Sequence, residues 1–422
     1  MACYESMSAE QQRELLGKLQ KQYRDFQARG LKLDMSRGKP GADQLDLSVD
    51  MLSISEFRTE SGTDCRNYGM PDGLPEVKQL FADLLEVAPE NIIVGGNSSL
   101  NMMFDKISSA MTHGINGGMP WMRQEKVKFL CPSPGYDRHF GVCEFFGIEM
   151  IPVEMTAHGP DMDTVERLVS ADPSIKGIWC VPKYSNPQGI TYSDETVRRF
   201  ATLKPAAPDF RIYWDNAYCV HDLTDEPDHL LNLFAECKRN GTENLPIMFA
   251  STSKISFPGG GVSVMVSSEE NLKWDRKRIS AQTIGPDKLN QLRHLYFFHD
   301  AQGIREQMKK HRALLQPKFH VVLDMLEKEL LGTGALEWTN PNGGYFISVD
   351  TMDGCARRVV SLCKEAGVVL TGAGATYPYG KDPQDRNIRL APTFPPVEEL
   401  RQAMELFCLC VKIATLEKLV SA

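Results

Sequence analysis

The feature that most restricts the fold of this 422-residue chain is an alternation that runs from about residue 90 to residue 270. Short apolar runs at 92–94, 127–131, 148–153, 177–182, 211–214, 245–249 and 262–266 take turns with stretches of helical composition such as 100–111, 163–170, 193–203 and 230–238. Runs that are apolar on both faces read as strands covered on both sides. Strand and helix in alternation specify an α/β fold, a large domain whose mostly parallel, seven-stranded-type sheet is flanked by helices. In such sheets ligands bind beyond the carboxyl ends of the strands.

Chemistry-bearing residues cluster at those ends. The first run enters Gly95-Gly96-Asn97-Ser98-Ser99 and then a helix, an order that offers free amides and a positive helix end to a phosphate. Tyr136 follows the second run, where a strand end can deliver a flat ring over a ligand. Asn186, held extended by Pro187, follows the fourth, and Asp215-Asn216-Ala217-Tyr218 closes the fifth. The sixth run leads into Ser251-Thr252-Ser253-Lys254. Partial burial lowers a lysine's pKa and suits it to a Schiff base with a carbonyl cofactor. Taken alone, the tetrapeptide fits a plain loop lysine better.

The flanks differ in character. Residues 8–29 carry Leu15, Leu19, Tyr23 and Phe26 at helical spacing, with Ser8 as N-cap and Gly30 as the stop. Ser36-Arg37-Gly38-Lys39-Pro40 is an extended segment or a plain turn, and Arg66-Asn67-Tyr68-Gly69 lies in a loop rich in Gly and Pro. Beyond Gly285-Pro286, a long helix over 304–331 with a kink and domain border at Pro317 precedes strands near 344–349, 368–370 and 387–390. The division expected is 1–50, an N-terminal helix and segment joining the small domain; 51–315, the large domain; and 316–422, a smaller α+β domain.

A net charge of -8 argues against a general nucleic-acid binder. No basic and apolar leader opens the chain and no apolar run is long enough to cross a bilayer, so a cytoplasmic protein is expected, with no membrane partner. Eleven scattered cysteines read as reduced thiols, and nine histidines without a metal-binding spacing leave no metal site expected.

In order along the chain stand Gly-Lys-Pro, Tyr-Gly, Gly-Gly-Asn-Ser-Ser, Pro-Gly-Tyr-Asp-Arg-His, Asn-Pro-Gln-Gly, Asp-Asn-Ala-Tyr, Ser-Thr-Ser-Lys and Ile-Arg-Leu-Ala-Pro. Their joint order and intervals resemble the pyridoxal-phosphate-dependent aminotransferases of fold type I over nearly the whole chain. The wording of Ser-Arg-Gly-Lys-Pro and Ser-Thr-Ser-Lys looks closest to a MocR-like subgroup that contains aspartate aminotransferases.

The resemblance implies the cofactor pyridoxal 5′-phosphate and a role for each motif. Lys254 would hold the cofactor as a Schiff base and then carry the proton of a 1,3-shift, with Asp215 paired to the pyridine nitrogen. Asn186 and Tyr218 would donate to the ring oxygen, Tyr136 would stack on the ring, and His139 would orient Asp215. Gly96, Asn97, Ser98, Ser251 and Ser253 would hold the phosphate, and Tyr68 would reach it from the other subunit of a homodimer with shared active sites. Arg389 would bind the substrate α-carboxylate, with Asn186 close by and the Gly38 amide closing on it.

Two positions depart from the pattern. Val262 stands where many members place a phosphate-binding cation, and Arg37 stands where a small apolar residue is common. Arg37 reads either as a ligand for a side-chain carboxylate or as an arginine engaged elsewhere. The expected reaction moves an amino group between an amino acid, aspartate first, and a 2-oxo acid, 2-oxoglutarate. An aromatic or 2-aminoadipate aminotransferase and a β-lyase are the alternatives with the same cofactor. A cofactor-sensing regulator is the alternative of another class, although about 35 residues before Ser36 leave no room for a winged-helix domain.

Overall fold

The computed structural model describes residues 3–421. In chain order its strands are β1 (Leu33–Asp34), β2 (Ile92–Val94), β3 (Lys128–Ser133), β4 (Glu149–Thr156), β5 (Gly159–Pro160), β6 (Ile175–Cys180), β7 (Arg211–Asp215), β8 (Pro246–Ser251), β9 (Ser263–Val266), β10 (Leu336–Trp338), β11 (Ile347–Thr351), β12 (Val368–Val369) and β13 (Asn387–Leu390). Strands β2 to β9 form one sheet in the order β2-β9-β8-β7-β6-β3-β4-β5. The run β8-β7-β6-β3-β4 is parallel, and β9 lies antiparallel to both of its neighbours.

The alternation of side chains along these strands sorts the core into two layers. Ile178, Cys180, Ile212, Trp214, Met248 and Ala250 face the helices Pro75–Leu85, Asp194–Ala201 and Leu233–Asn240. The intervening residues Trp179, Tyr213, Ile247 and Phe249 face the other way, onto the helices Ser99–His113 and Asp137–Phe145. Asp215 is two residues beyond Tyr213 and so belongs to this second face. That register decides which helix supplies its partner.

The third cluster gathers the helices Ala9–Ala28, Ala301–Leu330 and Val397–Ser421 around the antiparallel strands β10, β11 and β13, and it includes Leu19, Tyr23 and Phe26 from the N-terminal helix. The capping box of Ser8 with Gln11 starts that first helix where the sequence places it. The N-terminal segment is stitched to this part of the chain through β1, which pairs parallel with β12.

The long helix expected over 304–331 runs from Ala301 to Leu330 with Pro317 inside it. Burial of Leu315, Phe319, Val322 and Leu326 on one side of the helix holds it through that point. The helix expected from 230 begins at Leu233, because the Asn232 side chain accepts from the Ala235 amide and caps it there.

Candidate active site

A cavity of about 220 Å3 opens at the carboxyl ends of the central strands. Tyr136, Asn186, Asp215, Tyr218, Ser251, Ser253 and Lys254 all line it, together with Ser98, Ser99 and Leu100. Residues spread over more than 150 positions of sequence therefore meet because parallel strands end on one side of the sheet.

Asp215 is buried at the end of β7. Its Oδ2 accepts from His139 Nε2 at 3.0 Å, and His139 stacks on Trp179 with ring centroids 4.5 Å apart. Oδ1 is buried and has no hydrogen-bond partner. An unpartnered buried carboxylate oxygen is costly unless a donor arrives, so the site is built for one.

Lys254 follows β8 in a tight turn. Its Nζ lies over two tyrosine rings, 5.1 Å from the Tyr218 centroid and 5.5 Å from that of Tyr345. Burial pushes its pKa below the ordinary lysine value, Asp215 opposes the shift, and Arg389 adds to it. The turn is pinned beneath by His294, whose Nδ1 donates to the Asn290 carbonyl at 2.7 Å. That leaves Nε2 to accept from the Thr252 and Ser256 hydroxyls at 2.9 and 2.8 Å. Thr252 Oγ1 in turn accepts from the Val262 amide, so Val262 closes the turn and its side chain is buried. The glycine-rich loop is thus a structural clasp, and no cation stands at that position.

The helix Ser99–His113 starts at the cavity, and its N-cap Ser98 makes no side-chain capping bond. The Ser99 and Leu100 amides and the helix dipole, with the Ser251 and Ser253 hydroxyls opposite, form a cradle for a phosphate. Ser251 Oγ donates to Ser253 Oγ at 3.1 Å, and Ser253 Oγ donates to the Asn97 carbonyl at 3.0 Å. Gly96 and Asn97 do not line this cavity. The Gly96 carbonyl accepts from Ser263, and Asn97 Nδ2 donates to the Pro258 carbonyl, which fixes this turn next to the cradle.

Arg389 sits on β13, with Nη1 donating to Asp137 Oδ1 at 2.9 Å and to Asn186 Oδ1 at 3.1 Å. Its Nε is buried without a partner, so one edge of the guanidinium is anchored and the other is available to a carboxylate. Phe346 covers the guanidinium, its centroid 4.7 Å from Cζ. Gly38 faces that same ring, and a Cβ there would collide with it. Arg37 is exposed, and among the described residues no carboxylate lies within ion-pair distance of it. Tyr68 is exposed on its loop, apart from the cavity of its own chain.

Tyr345, Phe346, His221 and Trp179 are the site residues that sequence reasoning missed. The aromatic pair follows Gly343-Gly344, and a Cβ at Gly343 would strike the Tyr184 ring. Two glycines before two aromatic residues were the available signal.

This geometry defines the class: an α/β enzyme with a buried lysine, an opposed carboxylate and an amide-lined anion cradle around one cavity. Residues 7–422 match the profile of the family described as aspartate amino-transferase, and the chain belongs to that family. The aspartate aminotransferase of Corynebacterium glutamicum is 47% identical over 403 residues, which cover 94% of this chain and 93% of that one. The solved structure of an aspartate transaminase from the same organism superposes with a TM-score of 0.96 at 45% identity, covering 99% of both chains. LysN, the α-aminoadipate aminotransferase of Thermus thermophilus solved in complex with N-(5′-phosphopyridoxyl)-L-leucine, shares the fold with a TM-score of 0.73 at 18% identity, over 93% of this chain and 95% of that one. The chain is an aminotransferase of the pyridoxal-phosphate-dependent family.

Proposed function

We propose that the chain binds pyridoxal 5′-phosphate in the Lys254 cavity and exchanges an amino group between aspartate and 2-oxoglutarate. The observation that carries the cofactor reading is Asp215 Oδ1, buried, unpartnered and lining the same cavity as Lys254. Asp215 Oδ1 would accept from the protonated pyridine nitrogen of the cofactor. When bound, the cofactor supplies an aldehyde that condenses with amines and a ring that takes up the electrons left when a Cα–H bond breaks.

The protein's share follows from the side chains. Lys254, with its pKa lowered by burial, gives up its proton readily and is placed to carry one to and from the substrate carbon. Asp215 holds positive charge on the ring nitrogen, and the His139 bond fixes the carboxylate for that task. Tyr136, half-buried, and Tyr218, buried, have raised pKa values, Tyr136 to about 12, so both phenols stay protonated at neutral pH; Tyr218 is the donor to the ring oxygen and Tyr136 the stacking ring. The open edge of Arg389 takes the α-carboxylate, while Asn186 keeps the arginine and the ring oxygen in register. Gly96, Asn97, Ser98, the first amides of the helix that follows, Ser251 and Ser253 take the phosphate. Exposed Tyr68 is read as a contribution to the site of a second subunit, in a homodimer in the cytoplasm.

Aspartate is preferred because the Corynebacterium glutamicum relative bears that name and because Arg37 is an unpaired cation beside Gly38. The motif wording supports the MocR-like subgroup. Titration of the loaded protein with single amino acids, followed by cofactor absorbance, tests the substrate. Aspartate and glutamate are expected to bleach the lysine-bound band. Bleaching by an aromatic amino acid or 2-aminoadipate, with none by aspartate, overturns the assignment.

A further inference from the structure

Four parts of the chain distant in sequence meet in one buried polar chain behind Lys254. Gln44, on the short helix Ala42–Asp46, accepts from the Gly41 amide through Oε1 at 3.2 Å. That contact fixes the orientation of its amide, so Nε2 is the donor to both remaining neighbours. Nε2 lies 3.0 Å from Tyr345 Oη and 3.1 Å from His311 Nδ1. His311 Nδ1 is therefore the acceptor, and its Nε2 donates to the Ile255 carbonyl, the residue after Lys254, at 3.0 Å. Gln44, His311 and Tyr345 are all buried, and burial holds the His311 pKa below its ordinary value, which keeps this tautomer neutral.

Tyr345 lies nearly parallel to Tyr218, at 23° with centroids 6.0 Å apart, and Lys254 Nζ faces both rings. His221 packs edge-on against both rings at 5.5 and 5.8 Å. The ring that faces the amine and the carbonyl of the residue after Lys254 are thus held by the same glutamine–histidine pair. We propose that Tyr345, tethered by Gln44 and His311, is a positioning residue for the Lys254 amine. The pair sets where the amine sits and, through the π face, how strongly its protonated form is held. This inference rests on Lys254 being the reactive amine of the proposed function.

The test is competitive acetylation of Lys254 in the full-length, cofactor-free chain across a pH series, read by mass spectrometry. Tyr345→Phe keeps the ring and loses the tether, Gln44→Leu cuts the tether from the other end, and Tyr345→Leu removes the π face. Each is expected to raise Lys254 labelling at neutral pH by about threefold or more, with the profile moved to lower pH. Combining Tyr345→Phe with Gln44→Leu is expected to add little to either alone, because both break one connection. The groups that otherwise face the amine, Asp215, Arg389, His221 and Tyr218, are unchanged in these variants, as is Asp43 beside Tyr345 and His311. Wild-type labelling in all single variants, or effects that multiply in the double variant, overturns the proposal.

The 15N spectrum of His311 in the wild-type chain requires no substitution and is expected to show Nε2 protonated and Nδ1 bare at neutral pH. The opposite tautomer also overturns the proposal. Uptake of pyridoxal phosphate by the wild-type chain is scored separately, so failure of the cofactor reading is distinguishable from failure of the tether.

Discussion

His139 Nε2 holds Asp215 Oδ2 at 3.0 Å and leaves Asp215 Oδ1 bare inside the cavity, so one carboxylate is half anchored and half on offer. Anchoring by a ring that is itself stacked on Trp179 fixes the direction of the free oxygen before any ligand arrives.

Asp215→Asn removes the charge and keeps the shape. Turnover is expected to fall by a factor on the order of 100 to 1,000, the usual loss when a preorganised charge is deleted, while the cofactor remains bound. Stopped-flow absorbance separates the two effects. An unchanged rate would remove Asp215 from the chemistry.

Arg389→Lys replaces a two-pronged edge with a point charge and leaves Asp137 and Asn186 without their shared donor. The expected loss in kcat/KM is on the order of 10- to 100-fold, about 1.5–3 kcal/mol. Steady-state kinetics with several amino acids checks it. Because the α-carboxylate is common to all, the loss should be similar across substrates. A loss confined to dicarboxylates would shift Arg389 to side-chain recognition.

His294 gives the lysine turn an acid limit. Burial lowers its pKa to about 4, and as a neutral ring it accepts from Thr252 and Ser256. The unfolded chain binds this proton near pH 6.5 and the folded chain near 4, so the unfolded state holds more protons between those values. Stability is full above about pH 6.5 and declines as pH falls toward 4, by about 3 kcal/mol for this residue. Denaturant unfolding of wild type and His294→Gln at several pH values reads it. The variant should lose most of that slope, and equal slopes would refute the assignment.

Much of the arrangement was legible from the residues, for physical reasons that differ by element. Buried parallel strands leave near-continuous apolar runs, so β6, β7 and β8 and the polar residues at their ends stood out. Capping residues marked several helix starts, Ser8 and Ser193 among them. Pro317 sits inside one continuous helix because tertiary burial overrides a local helix breaker. Gln44, His311 and Tyr345 left no local signal, since a hydrogen-bond chain joining positions 44, 311 and 345 exists only after folding. Val262 departs from the family pattern in sequence, and the reason lies in the fold, where its amide closes the lysine turn.

In the proposed reaction, Lys254 is the amine that holds the cofactor. Borohydride reduction of the protein loaded with pyridoxal 5′-phosphate, followed by peptide mass spectrometry, measures this most directly. A phosphopyridoxyl group on the peptide containing Lys254, and none in Lys254→Ala treated identically, is the result predicted. The label on another lysine, or retention of the lysine-bound absorbance band in Lys254→Ala, contradicts it.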